Sequence, residues 1–249
     1  MKKTLIASAV LVGLGAGFTM APVSMGYAQE TSTNAATSQD WLDKINTRID
    51  LAQVKVALLR AKIALEIETA PERAQQALDD AMSSLSKAKE TAKSSAMADL
   101  AAMEEDIASA RKAIIELPDE AAGKIEALIS SADMRLQEYK QDIAESEEVK
   151  LLKMRYAQAA AQSSLLQAQI AEAANEGADK VASYLQDAQD FYQTAKENAA
   201  QDLQAGLNTL SNDIETAKQL VSEKREQAGD AIIDLAQRAA DFVRGSQQN

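Results

Sequence analysis

The sequence contains no cysteine and no histidine. Those two absences remove the commonest general base, the commonest zinc and haem ligands, every thiol nucleophile and every disulfide. Without cysteine there is also no attachment point for a lipid anchor. Proline and glycine are scarce, at 3 and 9 in 249 residues, and aromatic residues make up 4% of the chain. So few turn formers, in a chain rich in Ala, Gln, Glu, Lys and Leu, give a nearly all-helical composition. Long hydrophobic runs are missing too: beyond the N-terminal segment none approaches transmembrane length.

The N-terminal segment reads as an address label. MKKTLIASAVLVGLGAGF opens on Lys2 and Lys3, and its apolar core from Leu5 to Phe18 is too short to span a bilayer comfortably. Small residues Gly26 and Ala28 stand where a signal peptidase reads, so residues 1–28 are expected to be a signal peptide cleaved after Ala28, with Ala21 as the weaker alternative. The polar stretch QETSTNAAT, 29–37, is expected to be a disordered leader. The mature protein is then expected to be soluble and exported, most simply into a bacterial periplasm. Loss of Lys2 and Lys3 lowers the basic residues from 26 to 24 against 38 acidic ones, and the net charge from −12 to about −14. Such a chain repels phosphate backbones and anionic headgroups, which argues against nucleic acid and against simple electrostatic docking on a membrane surface.

From Ser38 the pattern is helical. Leu42, Ile45, Ile49, Ala52, Val56, Leu59 and Ile63 alternate in steps of three and four, the seam of a coiled coil. Leu51, Leu58 and Leu65 recur on nearly the opposite face, so the first helix needs apolar neighbours on two sides. Thr69, Ala70, Pro71 and Glu72 read as a helix start, with Thr69 as cap and Pro71 in the first turn. The second helix follows Leu78, Ala81, Leu85, Ala88 and Ala92, slips in phase through Ala96, and continues through Leu100, Met103, Ile107 and Ile114 to Leu117. Pro118 ends it. A third helix carries Ile125, Leu128, Ala132, Leu136, Tyr139 and Ile143; with no Gly or Pro between 124 and 176, a straight run into the next helix and a kink at Ser146, where the seam changes phase, are both open.

Shifted by 107 residues, the chain matches itself without a gap. LLRAKIA at 58–64 falls on LLQAQIA at 165–171, and LDDAMSSLSKAKETA at 78–92 on LQDAQDFYQTAKENA at 185–199. About 20 of the 77 positions from 41 to 117 are identical. The expected fold is therefore all-α: two tandem three-helix antiparallel coiled-coil-like bundles, elongated, from an internal duplication, with helical repeat 1 at 38–146 and helical repeat 2 at 147–249. Helices of about 30, 45 and 25 residues gain most of their stability by packing. Repeat length and continuous connection are similar to spectrin-type tandem bundles. Many seam positions are alanine, which buries little area and allows close approach of helix backbones. Seams on two faces leave homo-oligomerisation through them open.

Candidate chemistry is sparse. Ser94 or Ser95 with Lys93 has the composition of a serine–lysine pair, but repeat 2 has Ala200, Gln201 and Asp202 there, and a polar surface is the expectation. Two acidic clusters, Asp142, Glu145, Glu147 and Glu148, and Glu104, Glu105 and Asp106, lack the glycine-bearing spacing of a calcium loop and read as solvated faces. Arg48, Lys55 and Lys62 form a row at sevens; only Arg155 is kept in repeat 2, with Gln162 and Gln169 in place of the lysines, so bridges to flanking helices are expected. Trp41 is placed at one end of the first bundle, Phe191 and Tyr192 on diverging directions of one helix, and Met82, Met97, Met103, Met134 and Met154 in seams as gap fillers. No catalytic residue, metal ligand or cofactor is expected.

AKIALEIETAPERAQQALDDAMSSL, residues 61–85, resembles the helix–turn–helix of YfdX-type periplasmic helical proteins. The matching positions are Ala61, Lys62, Ile63, Ala64, Leu65, Pro71, Glu72, Arg73, Ala74, Ala81 and Leu85, about a tenth of the chain. The resemblance implies a small stress-associated helical protein of the periplasm, with interaction or small-molecule binding and no catalytic residues. The function expected is a non-enzymatic interaction, scaffold or chaperone-like role in the cell envelope, its protein partners unidentified. The alternative is a lipid-surface helix protein resembling exchangeable apolipoproteins.

Overall fold

Ten consecutive residues, Ala157 to Leu166, are buried without interruption, and residues 51–64 come close to the same. A helix with one solvent face alternates buried and exposed turns, so both stretches must have packing partners all round. The computed structural model describes the backbone of residues 27–138, 147–223 and 227–246, with side chains from Leu42 onward except those of Asp119, Glu147 and Glu148. The described residues form helices α1 (Tyr27–Glu66), α2 (Pro71–Thr91), α3 (Met97–Glu116), α4 (Pro118–Glu138), α5 (Glu147–Ala173), α6 (Ala178–Asn198), α7 (Gln201–Ser222) and α8 (Ala228–Ser246), with no strand among them.

The chain divides into two units, Met1–Ser38 and Gln39–Asn249. In the first, the backbone from Tyr27 is helical, so residues 29–37 belong to α1. QETSTNAAT holds no Pro or Gly, and extending an existing helix adds a hydrogen bond for each residue fixed. Ala28 lies in the first turn of α1. Gly26, Tyr139, Asp142, Ile143, Glu145 and Ser146 lie outside the described residues, as does the proposed kink.

The second unit carries the packing. Thr47 meets Thr91 at 2.9 Å between α1 and α2. Arg111 pairs with Asp79 at 3.1 Å between α2 and α3. Arg135 reaches Asp99 at 3.0 Å between α3 and α4, and Lys55 reaches Asp133 at 2.6 Å between α1 and α4. Contacts late in α2 meet α3 early and contacts early in α2 meet it late, while Lys55 to Asp133 and Lys62 to Glu126 run in opposite senses along α1 and α4, which makes α1–α4 an up-down-up-down four-helix bundle. Helices α5–α8 follow the same course, with α5 against α6, α6 against α7, α7 against α8 and α8 back on α5.

Each bundle thus has four helices and not three, because the long middle helix is divided. At residues 92–96 the chain turns back, and Lys89 of α2 meets Glu104 of α3. No Pro or Gly marks the spot. What marks it is burial: no side chain between Ala88 and Leu100 is fully buried, and reversal returns Leu100, Met103 and Ile107 to the core that Leu78, Ala81 and Leu85 occupy. Repeat 2 turns in two residues, Ala199 and Ala200.

The α1–α2 turn also differs in detail. Ala70, not Thr69, is the N-cap of α2, with Pro71 in its first turn and no side-chain cap. Thr69 sits at φ 49°, its hydroxyl donating to the Glu68 carbonyl, while the Ala70 N–H donates to the Ala64 carbonyl at 2.7 Å. That closure spans seven residues, one more than a Schellman motif, whereas the α5 end, where the Glu176 N–H donates to the Ala171 carbonyl at 2.9 Å, has the Schellman spacing. At the α5–α6 turn Asn175, at φ 52°, takes the left-handed position and Gly177 the N-cap.

One hydrophobic core runs through both halves: Leu51, Leu58, Leu78 and Leu100 belong to the same cluster as Leu165, Leu185, Leu207 and Leu235. The core does not divide at residue 146. Ile45 and Ile49 of α1 pack with Leu152 of α5, and Arg48 donates to the Tyr156 hydroxyl at 2.9 Å, so α1 and α5 run side by side in the same direction. The seam expected on α1 faces α5, and its Leu51 and Leu58 face inward to the first bundle.

Two substitutions probe this packing. A Cβ on Gly206 of α7 would collide with Phe242 of α8, whereas one on Gly123 of α4 would meet nothing. Gly123→Ala should raise stability by about 0.5–1 kcal/mol through helix propensity, and Gly206→Ala should lower it by about 1 kcal/mol as overpacking outweighs that gain; urea unfolding of each variant checks the pair. Asp50, half-buried opposite α2, has its carboxyl raised to about 6 by burial, with Lys87 opposing and Glu90 reinforcing. The folded state then holds this proton more tightly than the unfolded chain, so stability falls as pH rises from about 4 to 6 and is level above. Asp50→Asn should stabilise at pH 7 by about 1 kcal/mol after allowance for solvent screening, and the gain should vanish near pH 3.5 in denaturation measured across pH.

Candidate functional site

Where α1 and α5 lie together, each is flanked by outer helices of the opposite half, and two clefts open along the junction. The first runs between α1, α2, α5 and α8 and contains cavities of about 300 and 170 Å³ that share Arg60, Asp80, Gln162, Ala240 and Arg244. The second, about 270 Å³, runs between α1, α4, α5 and α6. Ten of the eleven residues lining the second cleft fall, at an offset of 107, on residues lining the smaller cavity of the first: Arg48 on Arg155, Lys55 on Gln162, Gln137 on Arg244. The same backbone setting therefore carries two different sets of side chains.

In the second cleft the charges are engaged. Lys55 pairs with Asp133, as the row of basic residues predicts, and Lys62 meets Glu126 further along α4. Arg48 lies 3.9 Å over the Tyr156 ring, and Tyr156 meets Phe191 edge to face at 6.5 Å. That cluster of a cation and two aromatics joins positions 108 apart in sequence, and sequence reading missed it; the 107-residue offset was the only signal available. Buried Arg48 Nε and Ser163 Oγ have no partner there among the described residues.

In the first cleft the charges are only partly engaged. Arg73 pairs with Glu68 at 3.1 Å and Arg244 with Asp241 at 2.8 Å. Arg60, half-buried, makes no hydrogen bond or ion pair among the described residues. Its pKa is pushed down from the usual range by burial, with Asp80 opposing and the Arg244 charge reinforcing. Gln162, 4% exposed, has an amide Nε2 with no partner among the described residues. Sequence reading placed Gln162 as the neutral replacement of a surface lysine; it is a buried donor at the junction.

The other expected sites are scattered. Ser94 and Ser95 are exposed in the α2–α3 turn with Lys93. Glu105 and Asp106 are exposed on α3, Glu104 is engaged by Lys89, and no group of three or more acidic residues suited to a metal ion occurs among the described residues. Phe191 turns to Tyr156, while Tyr192 is fully buried, its hydroxyl unpartnered and its pKa pushed up by burial. Met103 and Met154 fill the core, Met82 packs on it, and Met97 and Met134 are exposed. The side chain of Trp41 lies outside the described residues. Among the described residues no helix is long and apolar enough to cross a membrane.

A third feature sits at one end of the first bundle. Ile115 and Leu117, at the α3–α4 turn, are 74% and 51% exposed, and Ile67 is exposed at the α1–α2 turn of the same end. The corresponding positions of repeat 2 are Ala174, Ser222 and Lys224.

Comparison of the chain with known protein families, with curated proteins and with solved structures found no match. Its chemistry therefore has to be read from its own residues. Replacing the unpartnered amide with an apolar side chain of the same length, Gln162→Met, should stabilise the fold by about 1 kcal/mol, since a buried donor without an acceptor opposes folding; thermal unfolding at neutral pH checks it.

Proposed function

We propose that the protein is exported and serves in the bacterial cell envelope as a non-enzymatic helical-bundle protein with an interaction, scaffold or chaperone-like role. The observation that supports this reading is the apolar end formed by Ile67, Ile115 and Leu117, which the second bundle replaces with small or polar residues. Large aliphatic side chains held in water at a helix turn contribute nothing to the fold; covering each completely is worth roughly 1.5–3 kcal/mol. Adjacent ones offer a partner protein a small anchor. Export, the internal duplication and the stress association implied by the YfdX-type resemblance belong to the same reading. The signal-peptide pattern of residues 1–28 supports export, and the recurrence of cleft positions at an offset of 107 supports duplication.

The lipid-surface alternative requires a bundle that opens to expose broad apolar faces. The α5 face that would be exposed, residues 157–164, is alanine, glutamine and serine, and the chain is acidic, so the apolar area of that helix and the charge both oppose it. A photo-crosslinking residue at position 115 should capture envelope proteins in living cells while the same residue at position 222 captures none. Capture from neither, together with flotation of the purified protein on phosphatidylethanolamine–phosphatidylglycerol vesicles, would replace the interaction reading with the lipid one.

A further inference from the structure

Four arginines, Arg60, Arg73, Arg155 and Arg244, line the cleft between α1, α2, α5 and α8 against two carboxylates, Glu68 and Asp80. The local excess is positive in a chain whose net charge is −12. Helix packing does not require it: at an offset of 107 residues the positions of Arg60 and Arg244 are Gln167 on α5 and Gln137 on α4, and the helices pack with neutral side chains there. Two guanidinium groups facing one cavity repel each other, and one of them, Arg60, has no bonded counter-ion among the described residues. A half-buried cation in that position opposes folding until an anion meets it. Beside it the Gln162 amide is buried, unpartnered and part of the same lining. Cation and donor therefore lack the same thing, an external acceptor.

We propose that this cleft binds a small organic anion, a carboxylate or a phosphate ester, held by the guanidinium groups of Arg60 and Arg244 with the Gln162 amide as a further donor. Guanidinium groups present paired N–H donors whose spacing matches the two oxygens of a carboxylate or phosphate, and neutral polar ligands offer no such charge-assisted bonds. A cavity of about 300 Å³ is at the lower end of the range for small-molecule pockets, which excludes a nucleic acid or a long peptide from the inside of the cleft. Ala64, Ala77, Ala236 and Ala240 form its apolar walls and leave room for a short carbon chain between the polar groups. The inference is independent of the apolar end at Ile115 and of any protein captured there.

Isothermal titration calorimetry of the mature chain with succinate and, separately, phenyl phosphate tests it. One-to-one saturable binding of at least one of them is expected, and the preferred one identifies the anion class. Arg60→Gln and Arg244→Gln should each weaken binding about tenfold or more, Arg60→Lys should weaken it less because charge is kept and the fork lost, and Arg111→Gln on α3 should leave it unchanged. Circular dichroism of each variant shows whether it is folded, and the Lys variant stands in if the Gln variant is not. No saturable binding of either probe to the wild-type chain would overturn the proposal, as would binding that Arg60→Gln, folded, leaves intact.

Discussion

The structure depends on two helices, α1 and α5, lying side by side where the two halves meet. Along α5 the residues from Ala157 to Ser164 are Ala, Gln or Ser, and the facing part of α1 contributes Ala52, Val56 and Ala57. Small side chains let the axes approach, and close axes let each helix also touch the flanking helix of the opposite half. That is why one core joins Leu58 to Leu165 and does not stop at the end of the first bundle. An alanine seam buries little area for each contact, at roughly 0.8 kcal/mol per buried methylene. Larger residues complete the core from both sources: Leu51, Leu58 and Leu165 on α1 and α5, and Leu78, Leu85, Ile107, Leu185 and Ile214 on the outer helices.

Close approach has a second consequence. A stretch buried on all sides must still be soluble while it is unfolded, and α5 meets that need with Gln158, Gln162, Ser163 and Ser164, all buried in the folded chain. Gln158 accepts from Ser246 at 3.5 Å, but its amide nitrogen, the Gln162 amide and the Ser163 hydroxyl find no partner. Each such group opposes folding by about 1–3 kcal/mol. Among the described residues, four of the five such buried atoms, Arg48 Nε included, lie on α1 and α5, and the fifth is the Tyr192 hydroxyl on α6, so the place where the halves meet is the least satisfied part of the fold. Unpaired buried donors call for an explanation, and here they lie where cavities also open.

Much of this was legible in the residues. Steps of three and four identified the helices, Pro118 marked the end of one and in the structure also opens α4, and the leucines opposite the seam of α1 announced a helix with neighbours on two sides. Two things were hidden. The reversal at 92–96 has neither Pro nor Gly, and an alanine phase slip looks the same whether a helix bends or the chain turns back; only the absence of buried side chains between Ala88 and Leu100 separates the cases. The side-by-side course of α1 and α5 was hidden because a two-faced helix can be satisfied within its own bundle, by the other half or by another chain. For the same reason Gln162 was legible as a change from Lys55 but not as a buried donor. The clefts became visible only when both halves shared one core.

The two clefts then show how one backbone setting supports two chemistries. In the second, Lys55 reaches across to Asp133, Arg48 lies on Tyr156, and the charges are consumed within the protein. At the corresponding places in the first, Lys55 becomes Gln162 and Asp133 becomes Ala240, so the internal pair is gone. Arg60 and Arg244 stand where the other half has glutamines, which adds charge on the side that has lost its counter-ion. Each change alone is a neutral exchange on a helix. Together they move the first cleft from a closed ion pair to an open one, and the helices that frame it need not move at all.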